Sequence, residues 1–314
     1  ESNLDALFLG MRFVEELKTV EAARATAATE RAARLARANA LAPGEFTERL
    51  TTVQREMCEA AALSYEKRGS AFRALCDDDL GILDRRVEEL KEDGKLLVLA
   101  EQDPALHRLL DILRLNLALN KDLISGEDFR DVMRQLFTNI CRDVGEFVAK
   151  IAERLKRPRP YAAHFAHLVA WRSALIIAEA LRNSGISHFW HVDVRRDQHN
   201  IGRRDPTRSY NSIPKSIQEF MWCAIADQMV ASGGSADEMI NLSLANGMRE
   251  DQIIVVCMVA TPEGISNILR KHPAVNIFTV AIDGGVDSKG YVKKPGVGDV
   301  GRLAFRGVKE EYVR

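Results

Sequence analysis

One short stretch, from Ile225 to Ser235, most restricts what this chain can fold into. An apolar run ends in Asp227 and opens into small residues, and a helical pattern follows at once. Glycines let a backbone approach a phosphate closely, and a helix N-terminus offers unpaired N–H groups to an anion. The stretch predicts a strand over about Phe220 to Ala226 and then a phosphate-binding turn. A plain Gly-Gly turn between a strand and a helix fits the same stretch when it is considered alone.

Two side chains sharpen this prediction. Ser235 and Glu238 form a capping-box pattern, which predicts that the helix begins at Ser235. Asp227 lies at the carboxyl end of the predicted strand, the edge at which open α/β sheets bind ligands. Because a carboxylate repels phosphate, we expect Asp227 to hold ribose hydroxyls or a ligand-borne magnesium ion.

The composition removes several classes of partner. The formal net charge of -1 gives no overall attraction to nucleic acid or to an anionic membrane. No apolar run approaches the roughly 20 residues of a membrane span. The five cysteines are widely spaced and mostly lie in apolar contexts, which is typical of reduced thiols in a cytoplasmic protein.

The first third of the chain, residues 1–102, reads as a helical module with a structural or oligomerising role. Its patterns predict helices over about Ser2 to Ala40, Glu45 to Lys67 and Ser70 to Lys91. Arginines recur along the first helix, and we interpret them as a solvated face, with a polyanion-binding stripe as the alternative. These residues are Arg24, Arg31, Arg34 and Arg37.

Residues 103–314 read as an α/β domain. Two helices are predicted, from about Ala105 to Asn120 and from Gly126 through Arg154. After them, short apolar runs alternate with helices, which indicates βαβ units and a mostly parallel sheet. Thr261 and Pro262 predict a helix start, and the glycine-rich segment after Asp283 predicts a loop that closes over a ligand. The predicted strands are His164 to Trp171, His188 to Val194, Phe220 to Ala226, Gln252 to Ala260 and Asn276 to Ala281.

Several segments follow one another in the order typical of a known family. They are Asp227 to Ser235, Val259 to Ile265, His272 to Val275, Ala281 to Gly285, Gly290 to Val292 and Pro295 to Asp299. From about Asp103 to Gly307 the chain resembles uracil phosphoribosyltransferase. The resemblance implies a type I phosphoribosyltransferase sheet, a homodimer or larger assembly, and small-molecule substrates with no nucleic acid.

The resemblance also implies a site and a reaction. A pyrimidine ring nitrogen attacks the anomeric carbon of phosphoribosyl pyrophosphate and releases pyrophosphate, with Mg2+ bound mainly through that substrate. Asp227 and Asp299 match the catalytic acids, and Arg172 and Arg196 match two pyrophosphate-binding arginines. The matching phosphoribosyl pyrophosphate loop is Asp227, Gln228, Met229, Val230, Ala231, Ser232, Gly233, Gly234 and Ser235, with Asp299 facing it. The matching base-binding residues are Val292, Gly298, Asp299 and Val300.

Some positions depart from the family pattern. Gln228 stands where the family has proline, Ala174 where it has glycine, and Arg302 where it has an aspartate; Lys293-Lys294 carries one extra residue. A transferase for a modified pyrimidine or another heterocycle is therefore a second reading. A third is a catalytically inactive relative that senses a nucleotide or phosphoribosyl pyrophosphate and signals through its helical module.

Two further groups of polar residues carry weaker expectations. His164 and His167 lie three residues apart in an apolar run without an acid or thiol nearby, so we expect no metal there. The basic insertion from Arg203 to Arg208 occupies the place of the family's dimer-embracing hairpin. We expect an arm that contacts a second subunit, in preference to a nucleic-acid clamp.

Overall fold

A parallel β-sheet forms the centre of the molecule. The computed structural model describes residues 2–62, 76–118, 125–154, 156, 164–193, 212–286, 292–293 and 295–304. Within them, seven strands form one sheet of order β1-β7-β6-β4-β2-β3, with the short β5 continuing alongside β6, and every strand pairing in it is parallel. The strands are β1 Leu96–Val98, β2 Phe165–Ala170, β3 Phe189–Val192, β4 Trp222–Ala226, β5 Met229–Val230, β6 Ile253–Ala260 and β7 Asn276–Ile282.

Helices cover both faces of this sheet. One face packs against α4, α5 and α6, and the other packs against α3, α7 and α8. All eight residues of β6 are buried, as expected for a central parallel strand with helices on both sides. The described helices are α1 Ser2–Asn39, α2 Pro43–Ala62, α3 Asp77–Glu92, α4 Pro104–Ala118, α5 Gly126–Arg154, α6 Trp171–Asn183, α7 Gly234–Ala245, α8 Pro262–Lys271 and α9 Val300–Ala304.

The predicted fold class is confirmed. The mostly parallel sheet is present, the strands after residue 160 begin and end within about two residues of the predicted bounds, and helices precede the sheet. The start of α8 also agrees, because Pro262 is its first residue and the Thr261 side chain accepts a hydrogen bond from the Gly264 amide at 3.0 Å.

Three of the four arginines interpreted as a solvated face of α1 do not form one, whereas the Arg37 side chain is 52% exposed. Arg31 lies 3.2 Å from Asp84 and 2.9 Å from Glu88, both on α3, and Arg34 also reaches Asp84. Arg24 lies 2.5 Å from Asp111 on α4. For Arg24, Arg31 and Arg34 the interpretation was wrong, because acids of α3 and α4 supply partners that a helical pattern alone cannot reveal.

The region predicted to be a helical module also contributes a strand. Leu96, Leu97 and Val98 pair with Ile277, Phe278 and Thr279 and form one edge of the sheet. Three residues are too few to produce a periodic pattern, and this strand was missed. The proposed boundary at residue 103 remains a prediction, and residues 63–67 of the second predicted helix lie outside the described residues.

Candidate active site

The carboxyl ends of four strands meet at one edge of the sheet. Val169 near the end of β2 pairs with Ala226 at the end of β4, and Ala260 at the end of β6 pairs with Ile282 at the end of β7. The segments that follow these strands are therefore neighbours. They include the family's phosphate loop, the start of α8 and the segment beginning at Asp283.

The phosphate loop, residues 227–233, is attached to β6 along its backbone. The Asp227 amide donates to the Val256 carbonyl at 3.0 Å, and the Gln228 carbonyl accepts from the Met258 amide at 3.1 Å. Farther along, Met229 and Val230 form β5, and the Thr261 amide donates to the Val230 carbonyl at 3.0 Å. These bonds fix the loop before α7 begins.

Gly233 makes the turn from the loop into α7. It is the N-cap residue, its φ is 79°, and the helix begins at Gly234. A Cβ atom on Gly233 would lie 2.9 Å from the Gly264 carbonyl, and one on Gly264 would lie 2.4 Å from the Ala231 carbonyl. Both glycines are required because the loop and the first turn of α8 touch through their backbones.

The predicted helix start is one residue from the observed start, but the predicted cap is wrong. Ser235 is the second residue of α7, so it cannot cap that helix. The left-handed Gly233 is the N-cap residue instead, and because it has no side chain it makes no capping hydrogen bond to the first amides of α7. Such amides, at the positive end of a helix dipole, are suited to binding a phosphate.

Asp227 lies half-buried directly after β4, as predicted. Its Oδ1 atom accepts a hydrogen bond from the Gln228 amide at 2.7 Å. Proline, the family's residue at this position, has no amide hydrogen to donate. Gln228 therefore gives the carboxylate an additional local hydrogen bond, while its own buried side-chain Nε2 has no hydrogen-bond partner in the described part of the chain.

Thr261 and Asn267 hold the other side of the loop. The Thr261 hydroxyl donates to the Ala231 carbonyl at 2.6 Å, and the Asn267 side-chain amide donates to the Ser232 carbonyl at 2.9 Å. Both side chains are buried. The loop is thus bound to α8 by side-chain hydrogen bonds as well as by backbone contact.

A buried ion pair lies behind the segment that follows β7. Asp283 accepts from Arg114 of α4 at 2.6 Å, and the two side chains are only 3% and 4% exposed. Burial raises the pKa of the Asp283 carboxyl, while the Arg114 charge and a hydrogen bond from the Gly296 backbone lower it. The ion pair therefore lies beside Gly296, in the segment that the resemblance assigns to base binding.

Glu263, in the first turn of α8, is the second buried acid of this edge. Its Oε1 atom accepts from the Val286 amide at 3.2 Å, and its buried Oε2 atom meets no donor within hydrogen-bonding geometry among the residues that the structure describes. Burial raises the pKa of the Glu263 carboxyl. Gly285, with φ 103°, allows the chain to pass close to this side chain, because a Cβ atom there would lie 2.5 Å from Oε1.

Of the predicted base-binding residues, Val292 is linked to this acid through Val286. Val292 forms a bridge with Val286, and Gly298 has a φ of 67°. Asp299 is exposed and directly precedes α9. Val300 is buried, and its amide donates to the Gly298 carbonyl at 3.1 Å, so that its N–H group is already engaged within the loop.

The predicted arginines are less fully described. Arg172 is the second residue of α6, and this helix begins directly after β2. The Arg172 backbone therefore lies at the same edge of the sheet. Arg196, Lys294 and the basic insertion from Arg203 to Arg208 lie outside the described residues. Arg302 is in α9. The roles assigned to these residues remain predictions.

No group of three or more His, Cys, Asp or Glu side chains is placed to hold a metal ion in the described parts of the chain. His167 is buried in β2, and burial lowers its pKa to about 4. It lines a cavity of about 520 Å³ between α5, α6 and the sheet. None of the described helices has both the length and the apolarity needed to cross a bilayer.

Comparison with known proteins agrees with this geometry. The model of the uracil phosphoribosyltransferase family matches residues 100–306. The chain belongs to the uracil phosphoribosyltransferase family. Members of the family with which it aligns include the uracil phosphoribosyltransferase of Dictyoglomus turgidum, 33% identical over 135 residues, and that of Sinorhizobium fredii, 29% identical over 194 residues.

These matches cover only part of each protein. The aligned segment covers 43% of this chain and 62% of the Dictyoglomus enzyme, and 58% of this chain and 88% of the Sinorhizobium enzyme. Among solved structures, the AQ2163 protein of Aquifex aeolicus aligns with 67% of this chain and 97% of its own at 20% identity, with a TM-score of 0.49. The helices α1, α2 and α3 precede the part that the family model matches.

Sequence reasoning assigned no role to four residues that the structure brings to this site. These are Arg114, Glu263, Asn267 and Asp283. Asp283 could have been found from its place after a predicted strand, like Asp227. Arg114 and Asn267 gave no such signal, because each lies in a helix far along the chain from the residue that it contacts.

Proposed function

We propose that the protein transfers the phosphoribosyl group of 5-phosphoribosyl 1-pyrophosphate to uracil or a related pyrimidine. The observation that carries this proposal is the turn at Gly233, which presents the uncapped N-terminus of α7 beside Asp227 at the ligand-binding edge of the sheet. Membership of the family supports the same reaction. The products are the nucleoside monophosphate and pyrophosphate.

In this mechanism the loop positions the phosphoribosyl group. The amides of residues 233–235 bind the 5-phosphate, and Asp227 accepts hydrogen bonds from the ribose hydroxyls. A ring nitrogen of the base attacks the anomeric carbon as the bond to the pyrophosphate oxygen breaks. Arg172 and Arg196 bind the departing pyrophosphate through their planar guanidinium groups, and holding the reactants in line lowers the barrier.

The residues present fit a magnesium ion carried by the substrate. Carboxylate oxygens are ligands that Mg2+ accepts, and Asp227 and Asp299 are the accessible acids of the described site, whereas Asp283 and Glu263 are buried. When bound, the ion neutralises charge that develops on the pyrophosphate. The carboxylates of Asp227 and Asp299 would lie next to this ion. Asp299 would face the ribose and the pyrophosphate.

The base is placed by the segments 283–286 and 292–300. Backbone groups around Val292, Gly298 and Asp299 would read its edges, as in the family. The described N–H group of Val300 already donates within the loop, so the neighbouring amides are the better candidates. The extra residue at Lys293-Lys294 changes this loop, which supports a panel of pyrimidines as the first substrates to test.

Calorimetry with phosphoribosyl pyrophosphate and Mg2+, followed by pyrophosphate release with a panel of bases, tests the proposal. We expect binding by the unaltered protein, release with at least one pyrimidine, and at least a hundred-fold lower turnover for Asp227→Asn. Asp251→Asn, a change at an exposed acid before β6, is the control. No binding would contradict the proposal, and binding without release for every base would favour a sensor.

We propose a homodimer in the cytoplasm as the working form. The family's dimer-embracing hairpin corresponds to the basic insertion from Arg203 to Arg208, and the five cysteines are free thiols. Light scattering of the intact chain should give twice the monomer mass. A monomeric mass with full turnover would contradict the dimer.

A further inference from the structure

We infer that α1 and α2 complete the active site, with α2 positioning the phosphate loop and α1 positioning the base end. The inference rests on the proposed function and extends it to residues before the segment that the family model matches. The inference predicts that changes in α2 alter the binding of phosphoribosyl pyrophosphate, whereas changes in α1 alter the binding of the base.

Helix α2 reaches the phosphate loop through α8. The Cys58 thiol donates to the Asn267 side-chain oxygen at 3.0 Å, and the Asn267 side-chain nitrogen donates to the Ser232 carbonyl at 2.9 Å. A parallel contact joins Gln54 to Ser266 at 2.7 Å. Asn267 is only 2% exposed, so both ends of its amide depend on these protein partners.

The same helix also touches the site directly. Ala60 of α2 packs against Val286, which follows β7, and against Ala231 of the phosphate loop. Val286 in turn donates its amide to Glu263. The Ala60 side chain of α2 thus contacts both segments between which the substrates would bind. Cys58 orients the Asn267 side-chain amide, which binds the phosphate loop.

Helix α1 reaches the base end through a line of alternating charges. Arg24 lies 2.5 Å from Asp111, Arg114 lies 3.6 Å from Asp111, and Arg114 lies 2.6 Å from Asp283. The line ends at Asp283, whose carboxyl lies near the Gly296 backbone.

Arg24 balances the charges in this line. Without it, Asp111 keeps Arg114 as its described cationic partner, and the attraction between them draws Arg114 away from Asp283. Asp111 and Arg114 are buried, so this competition takes place where water screens it little. Arg24 is therefore a positioning residue for the segment that carries Asp283 and for the glycine-rich loop beside it.

The experiment uses the full chain with two variants and two matched controls. Cys58→Val removes the thiol donor at nearly constant volume, together with the sulfur that accepts from Arg270. Thr51→Val is its control because the exposed Thr51 hydroxyl donates only within α2 among the described residues. Arg24→Gln removes the charge, and Arg37→Gln is its control at an exposed position of α1. Phosphoribosyl pyrophosphate affinity with Mg2+ is measured by calorimetry, and KM for the best pyrimidine is measured by turnover.

We expect Cys58→Val to weaken phosphoribosyl pyrophosphate binding about ten-fold with little change in KM for the base. Arg24→Gln should raise KM for the base by a similar factor and leave phosphoribosyl pyrophosphate binding unchanged. Cys58→Ser, which keeps a donor, should recover most of the lost affinity, and Cys58→Ala, which also lacks the donor, replaces Cys58→Val if that variant does not fold. Arg24→Met, which also lacks the charge, replaces Arg24→Gln if that variant does not fold, and Arg24→Lys, which keeps the charge, should retain most of the affinity for the base.

The outcomes separate this inference from the proposed function. If the unaltered protein neither binds phosphoribosyl pyrophosphate nor releases pyrophosphate, the proposed function fails, and with it this inference. If the unaltered protein is active but both variants match their controls, or lower both affinities equally together with the melting temperature, the inference is overturned and the proposed function stands.

Discussion

Gly264 shows at the scale of one residue how closely two backbones meet at the site. Its Cβ position lies 2.4 Å from the Ala231 carbonyl and 2.7 Å from the Val230 carbonyl, so a methyl group there must displace the phosphate loop. We expect Gly264→Ala to cost on the order of 3 kcal/mol in unfolding free energy and to weaken phosphoribosyl pyrophosphate binding at least ten-fold. Urea unfolding and calorimetry measure the two effects.

Gly284 provides the matched control for this change. It belongs to the same edge of the sheet, but a Cβ atom there meets no atom of the described residues within 4 Å. Gly284→Ala should therefore leave stability nearly unchanged. Similar losses in the two alanine variants would show that the contact between the loop and α8 is not what makes Gly264 necessary.

His167 gives a prediction about pH. Burial lowers its pKa to about 4 from 6.5, so the unfolded chain binds the proton more readily than the folded one. This contribution to stability is fully present above the unfolded pKa and is lost as the pH falls from about 6.5 to about 4. The loss amounts to about 3 kcal/mol.

His167→Leu removes this titration, and the cavity beside residue 167 leaves room for the new side chain. We expect the unfolding free energy of the unaltered protein to fall more steeply than that of the variant between pH 6.5 and 4, as followed by urea unfolding at each pH. Parallel profiles would contradict the assignment.

At the scale of elements, long or fully buried segments were predictable and short ones were not. The bounds of α5 and the helix start after Thr261 agree with their sequence signals, because apolar spacing and capping chemistry are local. The two-residue β5 and the three-residue β1 carry no periodicity. The cap of α7 was misassigned because a left-handed glycine competed with a serine that fits the capping pattern.

The start of α8 supplies the prediction for this scale. The buried Thr261 hydroxyl accepts from the Gly264 amide and donates to the Ala231 carbonyl, so it both caps the helix and holds the phosphate loop. Thr261→Val keeps the shape but removes both bonds, and we expect it to cost about 2–3 kcal/mol in unfolding free energy. Thr261→Ser should cost less than 1 kcal/mol in the same urea titration. If both variants lost the same unfolding free energy, the effect would come from packing and not from the two hydrogen bonds.

At the scale of the whole molecule, the sequence predicted the order of the parts better than their contacts. The succession of helices and then a parallel sheet is confirmed, because alternating patterns report topology. The ion pairs of Arg24, Arg31 and Arg34 join residues that lie 50 to 87 positions apart, and the contact of Cys58 with Asn267 spans 209. Such pairings depend on how helices pack, which single-sequence patterns do not encode.

These contacts change what a shortened chain should do. A chain that starts at residue 103 lacks β1, which pairs with β7, and lacks α3, whose Val87 and Leu90 are buried in the core beneath the sheet. Each lost apolar side chain contributes about 2 kcal/mol, and the exposed edge of β7 can pair with other chains. We therefore expect residues 103–314 to be insoluble or to unfold without cooperativity.

A chain that starts at residue 76 is the control, because it retains α3 and β1 and, of the described helices, loses α1 and α2 alone. It should unfold cooperatively by circular dichroism, yet bind phosphoribosyl pyrophosphate more weakly than the full chain, since Cys58 no longer orients Asn267. A soluble 103–314 chain with a cooperative transition and unchanged affinity would instead establish residue 103 as a true domain boundary. Sedimentation and calorimetry on the two chains distinguish these outcomes, because the loss of β1 acts on folding whereas the loss of α2 acts on the loop.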